Sequence, residues 1–319
     1  MKCIKPIKAG FNQFGEITFS QKNHDKSTVG FEFECRKCLP CRLNIAREKA
    51  IRCIHEARTH ENNIFLTLTY DNDHLSSNKL VYLDFQLFMK SLREKVTRGI
   101  TDPELKKQLY IPFMVTGEYG EKNKRPHWHV ILFNYRPKDA TYKYTTDQGE
   151  KVYESKILQD LWGKGITEFG DVTFESAGYC ARYATKKLTH GKDQDHDFQP
   201  IFKTSRKYAI GKRWLEKYWP DVFNHGHIIL TKPDGTSIKT GVPRYYEKWL
   251  RENHLDQYVR YLSDVKYPKC NIAEQKSVNE KLTHINNNWD NPLTLSRSEV
   301  EHQVLTQKFN NQLQKYRKL

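Results

Sequence analysis

The chain has 319 residues, enough for about two domains, and carries 53 lysine and arginine residues against 38 aspartate and glutamate residues. The formal charge of +15 and the pI near 9.3 indicate a polyanionic partner, and the 13% of aromatic residues supplies rings that can stack on bases. A basic surface that only keeps the protein in solution is the alternative that charge alone leaves open. No run of 18 apolar residues and no signal-peptide core occur in the sequence, so we expect no membrane partner, a cytoplasmic location and reduced cysteines.

Cysteines recur at every third position near the start of the chain, at Cys35, Cys38 and Cys41, with Cys3 far upstream. Three thiols at this spacing suit a structural Zn²⁺ ion if a fourth ligand arrives, and we expect Cys3 to supply it. A ferredoxin-type iron–sulfur run begins in the same way, but Ile45 stands where that pattern needs its next cysteine. A reduced, metal-free turn at the start of a helix is the other open alternative.

Hydrophobic periodicity predicts an α+β protein with a mixed C-terminal region. Strands are expected near residues 64–70, 110–118, 127–134 and 166–175, and together they should form one largely antiparallel sheet with flanking helices. Helices are expected from Leu43 to about Thr59, after Asp84, over Tyr153–Trp162, and from Ala177 to Leu188 with Ser176 as the cap.

We predict three parts of the chain. Residues 1–62 form a Cys-rich segment and a basic helix, residues 63–190 form the central domain, and residues 191–319 form an accessory region with a helical basic tail. A hairpin is expected around Pro233-Asp234-Gly235 in the accessory region, which contains no motif of known function.

Two histidines, His127 and His129, stand at the head of an apolar run. Side chains alternate along a strand, so these two imidazoles share one face while Trp128 takes the other. A hairpin with the preceding strand would bring Glu118 beside them, and a carboxylate with two imidazoles is a mixed ligand set that leaves coordination positions open. Such a histidine pair alone is more often solvated or hydrogen-bonded in a core than metal-bound, so the interpretation needs a second feature.

The second feature is a pair of tyrosines, Tyr179 and Tyr183, four residues apart on a predicted helix. Lys186 and Lys187 follow on or beside the same helical face. Tyrosines at this spacing usually pack in a core and lysines usually face water. This helix, however, has little aliphatic surface to bury, so we interpret the phenols and amines as chemical groups.

In this order, a strand over Phe65–Asp71, a His-hydrophobic-His strand and a Tyr-x-x-x-Tyr-x-x-Lys helix resemble the HUH endonucleases. Gly117–Gly120 and Arg125–His129, with the Cys-rich opening, are similar to the rolling-circle replication initiator proteins of gokushovirus-like microviruses, which are single-stranded-DNA bacteriophages. The motifs span residues 64–187. The resemblance implies an HUH or RRM-like palm with the acid and the two histidines on one sheet face and the tyrosine helix packed over them.

The resemblance also implies an activity, the nicking and rejoining of single-stranded origin DNA. Tyr179 or Tyr183 would attack phosphorus, release a 3′-hydroxyl and leave a 5′-phosphotyrosine, which retains the bond energy without ATP. The chain accordingly has no Gly-x-x-x-x-Gly-Lys-Ser/Thr loop. Only about 0.1% of a phenol is ionised at pH 7, so forming the phenolate costs roughly 4 kcal/mol.

Mg²⁺ or Mn²⁺ on Glu118, His127 and His129 would stabilise charge at the scissile phosphate. Lys186 or Lys187 would hold the backbone charge near the nucleophile. The expected partners are single-stranded and origin DNA and the host helicase or polymerase, in the host bacterial cytoplasm. Two alternatives stay open, namely a transposase or relaxase of the same HUH chemistry and a non-catalytic, zinc-containing nucleic-acid-binding protein.

Overall fold

The computed structural model describes residues 3–75, 79–120, 124–147, 149–173, 176–178, 180–181, 201–205, 207–231, 235–289, 291 and 294–317. The chain divides into two compact units, residues 1–217 and 218–319. The predicted division after residues 62 and 190 stays a prediction. In the structure, Ile201–Thr204 pairs with the central sheet of the first unit.

The first unit contains both sheet and helix. Its elements in chain order are β1 (Ile7–Phe11), β2 (Ile17–Thr18), a 3₁₀ turn (Gln21–Asn23), β3 (Phe31–Phe33), α1 (Leu39–Ala57), β4 (Asn63–Thr69), α2 (Tyr82–Thr97), α3 (Pro103–Gln108), β5 (Phe113–Tyr119), β6 (Pro126–Phe133), β7 (Thr141–Thr145), β8 (Lys151–Glu154), α4 (Lys156–Trp162), β9 (Thr167–Asp171) and β10 (Ile201–Thr204). Residues 176–178 and 180–181 are helical.

Seven strands form the central sheet in the order β10-β5-β6-β4-β9-β8-β7, and every neighbouring pair is antiparallel. A separate three-stranded sheet has the order β2-β1-β3. The predicted α+β class with a largely antiparallel central sheet is therefore confirmed.

One face of the central sheet packs against α2 and α4. Alternate residues along the strands are fully buried there, because a strand with one face in the core places every second side chain in it. The cluster joins Leu66, Leu68, Trp128, Val130 and Leu132 of the strands to Phe85, Phe88, Met89 and Leu92 of α2 and to Leu158 and Trp162 of α4. Trp128 completes its burial by donating its indole N–H to the Tyr70 hydroxyl at 3.1 Å.

The other face is covered over part of its length by α1 and the helical residues 176–181. Cys53 of α1 shares a buried cluster with Met114, Ile131, Phe133, Ala177, Cys180 and Ile210, and Ala46 and Ala50 of α1 pack with Ala181. The last turns of α1 are held by Glu56, which accepts the Gly211 backbone N–H at 2.7 Å, and by His55, whose ring stacks on Trp214 with centroids 3.5 Å apart. The sheet surface beside the start of β6 lies beyond this cluster.

Two predicted helix boundaries differ from the structure because hydroxyl side chains cap the backbone elsewhere. The predicted helix over Tyr153–Trp162 begins only after Ser155, whose hydroxyl accepts the Leu158 N–H at 3.2 Å. Ser176 does not cap its helix. Thr173 takes that position, because its carbonyl accepts the Ala177 N–H and its hydroxyl accepts the Ser176 N–H, while Ser176 accepts the Thr173 N–H in return.

The second unit is mainly helical. A helix over Lys212–His225 leads into it and is followed by a hairpin of Ile228–Thr231 and Ser237–Thr240, which matches the prediction of a hairpin in this region. Further helices span Arg244–Asn253, Leu255–Arg260, Tyr267–Asn287 and Arg297–Arg317, with a π-helical turn at Tyr261–Lys266.

Gly117 lets the Trp128 ring lie across β5, since a Cβ at this position would stand 2.6 Å from that ring. We expect Gly117→Ala to lower the free energy of unfolding by about 1–3 kcal/mol, because the ring has no room to move in a packed core. Urea denaturation followed by circular dichroism measures the change. Gly120→Ala is the matched control, because its Cβ would meet only the Arg125 backbone, with the carbonyl oxygen at 3.6 Å. Equal unfolding free energies for the two variants would contradict the packing argument.

Candidate metal centre

The β5–β6 hairpin sets the register that assembles the site. Glu118 pairs with His127 and Thr116 pairs with His129 across the two strands. His127 and His129 point to the same face by the two-residue period of a strand, and Glu118 points to that face as well. One ligand atom from each of Glu118, His127 and His129 lies within 4.8 Å of the other two. The structure thus brings these three predicted ligands together.

Both imidazoles converge on one carboxylate oxygen. His127 Nε2 lies 2.9 Å and His129 Nε2 lies 2.8 Å from Glu118 Oε1. The Glu118 side chain is 7% exposed, whereas the His127 side chain is 19% exposed, so the group is approached from the histidine side. Burial by itself would raise the pKa of the Glu118 carboxyl, but the charges and hydrogen bonds of His129 and His127 hold that pKa well below its ordinary value.

The outer nitrogen of each imidazole has its own partner. His127 Nδ1 lies 3.2 Å from the Arg125 carbonyl oxygen, which can only accept, so this nitrogen carries the proton. His129 Nδ1 lies 3.1 Å from the Thr67 hydroxyl. The Arg125 carbonyl is itself fixed, because the guanidinium of the same residue donates to the Tyr70 carbonyl oxygen at 2.7 Å. Metal-binding histidines are usually oriented in this way through the nitrogen that does not bind the metal.

The donor set fits a divalent cation. One carboxylate oxygen and two imidazole nitrogens form a mixed oxygen and nitrogen set that leaves other coordination positions for ligands from outside the protein. The atoms that now share protons at Glu118 would share the cation instead, with release of those protons.

The predicted catalytic residues Tyr179, Tyr183, Lys186 and Lys187 lie outside the described residues. Described neighbours of Tyr179 do contact the strand that carries the histidines. The Cys180 thiol lies 4.0 Å from the His129 carbonyl oxygen, and Ala177, Cys180 and Ala181 are fully buried. The segment in which the tyrosines occur is therefore anchored on β6 beside the candidate metal centre.

The structure also brings together the four predicted cysteine ligands. One sulfur from each of Cys3, Cys35, Cys38 and Cys41 lies within 4.8 Å of the other three.

Thr67 and Phe65 of β4 were missed by sequence reasoning. Thr67 lies opposite His129 in the sheet and contacts its outer nitrogen, and the Phe65 ring stacks on the His129 ring with centroids 5.6 Å apart. Both also line a groove of about 560 Å³ beside the centre, together with Tyr144, Lys151 and Tyr153. The available signal was the alternation of β4, which places a threonine on the polar face at the level of the histidine pair.

Comparison with known proteins finds a match to a family model for replication-associated proteins of the ORF2 type over residues 63–188. The chain is 49% identical to the replication-associated protein VP4 of Bdellovibrio phage phiMH2K over 100% of both chains. It is 34% identical to the replication-associated protein ORF4 of Chlamydia phage 1, over 72% of this chain and 56% of that protein. It is 26% identical to the replication-associated protein ORF2 of Spiroplasma virus 4, over 86% and 88%.

No solved structure matches the chain. The family match covers all predicted residues from Glu118 to Lys187 and leaves the cysteine cluster outside it. Within the described part of the chain, no helix has the length and apolar character needed to cross a membrane.

We expect Thr67→Val to weaken Mn²⁺ binding at Glu118, His127 and His129 by at least about tenfold, because His129 loses the partner of its outer nitrogen. Isothermal titration with Mn²⁺, on chains whose folding is checked by circular dichroism, measures the affinity. Thr69→Val is the matched control on the same strand and face, since in the described structure its hydroxyl bonds to neither imidazole. A similar loss in both variants would show that Thr67 does not act through His129.

Proposed function

The chain belongs to the replication-associated proteins of the microviruses, and from this premise we propose that it initiates rolling-circle replication by nicking and rejoining single-stranded DNA at the origin. The observation that carries the proposal is the convergence of Glu118, His127 and His129 on an open face beside the segment of Tyr179 and Tyr183. A replication initiator needs both a divalent-ion site and a nucleophile in one place, and the HUH-type arrangement supplies them from adjacent elements.

The proposed reaction is a transesterification. The oxygen of Tyr179 or Tyr183 attacks phosphorus, a Tyr–O–P bond forms and the P–O3′ bond breaks. The phenol gives up its proton and the leaving 3′-oxygen gains one, so one phosphodiester replaces another. The free 3′-hydroxyl can prime DNA synthesis, and the second tyrosine can cut the next copy while the first still holds the 5′ end. The reverse reaction joins the strand.

The residues of the centre contribute position and charge. Glu118 and the two histidines are held by the sheet and by their outer partners, so they need no rearrangement when substrate arrives. Mg²⁺ or Mn²⁺ bound by them would act as a Lewis acid on the scissile phosphate. Lys186 or Lys187 would add positive charge beside the nucleophile, against the negative phosphate.

The partners follow from this reaction. The formal charge of +15 favours a polyanion, and single-stranded origin DNA is the substrate that the nicking reaction requires. The free 3′-hydroxyl must be extended and the strand displaced, so host polymerase and helicase are the proposed protein partners in the bacterial cytoplasm. A transposase or relaxase would use the same nucleophile and ion, and its reaction would differ in the DNA joined.

We expect the double variant Tyr179→Phe/Tyr183→Phe to lose formation of a covalent protein–DNA adduct, because the phenol oxygens are the proposed nucleophiles. Each single variant should still form an adduct but fail to rejoin a cut strand when its partner is occupied. The measurement uses oligonucleotides tiled over the encoding phage genome, labelled at either the 5′ or the 3′ end, and denaturing gels. A 5′-phosphotyrosine retains the 3′ label on the protein and releases the 5′-labelled fragment.

Tyr142→Phe is the matched control, because it removes an exposed phenol from the same unit. Addition of EDTA and the Glu118→Gln variant should each abolish the adduct while the tyrosines are intact. A covalent adduct in the double variant would refute the tyrosine assignment. DNA binding without any adduct in the wild-type chain would favour the non-catalytic binding protein.

A further inference from the structure

Four cysteine sulfurs from three separate pieces of the chain meet at the start of α1. Cys3 precedes β1, Cys35 follows β3, Cys38 is the residue immediately before α1, and Cys41 lies buried in its first turn. Their sulfurs all lie within 4.8 Å of one another, and the seven cysteines of the chain are free thiols.

The spacing of the sulfurs fits one tetrahedral ion. A Zn–S bond of about 2.3 Å places two sulfurs of a tetrahedron about 3.8 Å apart, and the Cys3 and Cys38 sulfurs lie 3.8 Å apart. A disulfide needs about 2.05 Å. An iron–sulfur cluster binds its cysteines through several iron atoms and would hold the four sulfurs farther apart than one ion does.

The backbone around the sulfurs is arranged for negative charge. The Cys35 N–H donates to the Cys3 sulfur and the Cys38 N–H donates to the Cys35 sulfur, each at 3.3 Å. Arg36, in the turn between these cysteines, has a φ of 59°, which bends the chain back toward the sulfurs. Four thiolates around Zn²⁺ carry a net charge of −2, and the cations Arg36, Lys37 and Arg42 flank them in the sequence.

The N-terminal segment has little apolar burial to hold it in place. Among the described residues 3–38, only Ala9 and Gly10 are buried, while Phe14 and Phe19 are exposed by 86% and 62%. A small layer of this kind usually needs a metal or a disulfide for stability.

The cysteine cluster is connected to the candidate metal centre through α1. From Cys41 the helix runs to Ala46 and Ala50, which pack with Ala181, and to Cys53, which shares a buried cluster with Cys180. The Cys180 thiol in turn contacts the His129 carbonyl oxygen. We propose that Cys3, Cys35, Cys38 and Cys41 bind one structural Zn²⁺ ion, which fixes the start of α1 and thereby positions the tyrosine-bearing segment against β6. Zinc binding is independent of the proposed nicking activity, and only the positioning role rests on it.

The first test is the metal content of the wild-type chain, purified without added metal or chelator, by inductively coupled plasma mass spectrometry. The expected result is one zinc ion per chain. Cys38→Ser should lower the zinc content at least fivefold, whereas Cys38→His, which keeps a zinc-binding side chain, should retain it. Cys270→Ser is the control, because Cys270 is an exposed thiol of the second unit. Iron in place of zinc, or a mass that shows disulfides, would overturn the assignment.

A second test needs no variant. Exchange of the wild-type metal for Co²⁺ should produce the thiolate-to-cobalt charge-transfer band and the d–d bands of a tetrahedral thiolate site. A spectrum with only octahedral Co²⁺ would overturn the four-cysteine ligand set.

The positioning role is tested by hydrogen exchange of backbone amides in α1 and residues 176–181. Exchange should be at least tenfold faster in Cys38→Ser and return toward the wild-type rate in Cys38→His. Adduct formation should slow by at least tenfold in Cys38→Ser, with single-stranded DNA affinity within threefold. Unchanged exchange and rate in a zinc-free chain would overturn the positioning role. A wild-type chain that binds zinc but forms no adduct would refute the nicking proposal, and exchange alone would then decide the positioning.

Discussion

The antiparallel register of β5 and β6 is the constraint on which the candidate centre depends. It sets Glu118 opposite His127, and the pleat then places His129 next to them on the same face. A slip of one residue would move Glu118 to the opposite face and separate the carboxylate from both imidazoles. The register is held by Trp128, which lies between the histidines and is buried in the core on the far face, where Gly117 leaves room for its ring. The apolar core thus fixes a polar site that it does not touch.

The two faces of the central sheet have different tasks. The face toward α2 and α4 is continuously apolar and provides the rigid base. The other face is apolar only where α1 and residues 176–181 cover it, and it becomes polar toward the start of β6, where Glu118 and the histidines stand. This division explains how a segment can be firmly packed at Cys180 and still lie next to a site open to substrate. Burial holds the segment, and the charged groups remain accessible.

Sequence reasoning predicted the fold class and the four central strands because each strand has a strong local pattern of alternation. It could also place Glu118 near the histidine pair, since a short polar turn between two strands fixes their pairing. Contacts between distant residues were beyond it. Thr67 reaches His129 only through the pairing of β4 with β6, and β10 joins β5 only through tertiary structure. The two shifted helix boundaries have a local cause, because Ser155 and Thr173 were capping candidates that the apolar pattern did not distinguish from their neighbours.

The cysteine cluster shows why an element outside the matched family region bears on a site inside it. Helix α1 contributes none of the ligands of the candidate metal centre, yet its alanines form the surface on which Ala181 rests. Small residues allow a close approach of two helices but provide little apolar area, so such a contact is sensitive to the placement of the helix as a whole. The far end of α1 is fixed by Glu56 and by the His55–Trp214 stack. A rigid helix held at one end can still pivot, and four cysteines bound to one ion at its start would remove that freedom.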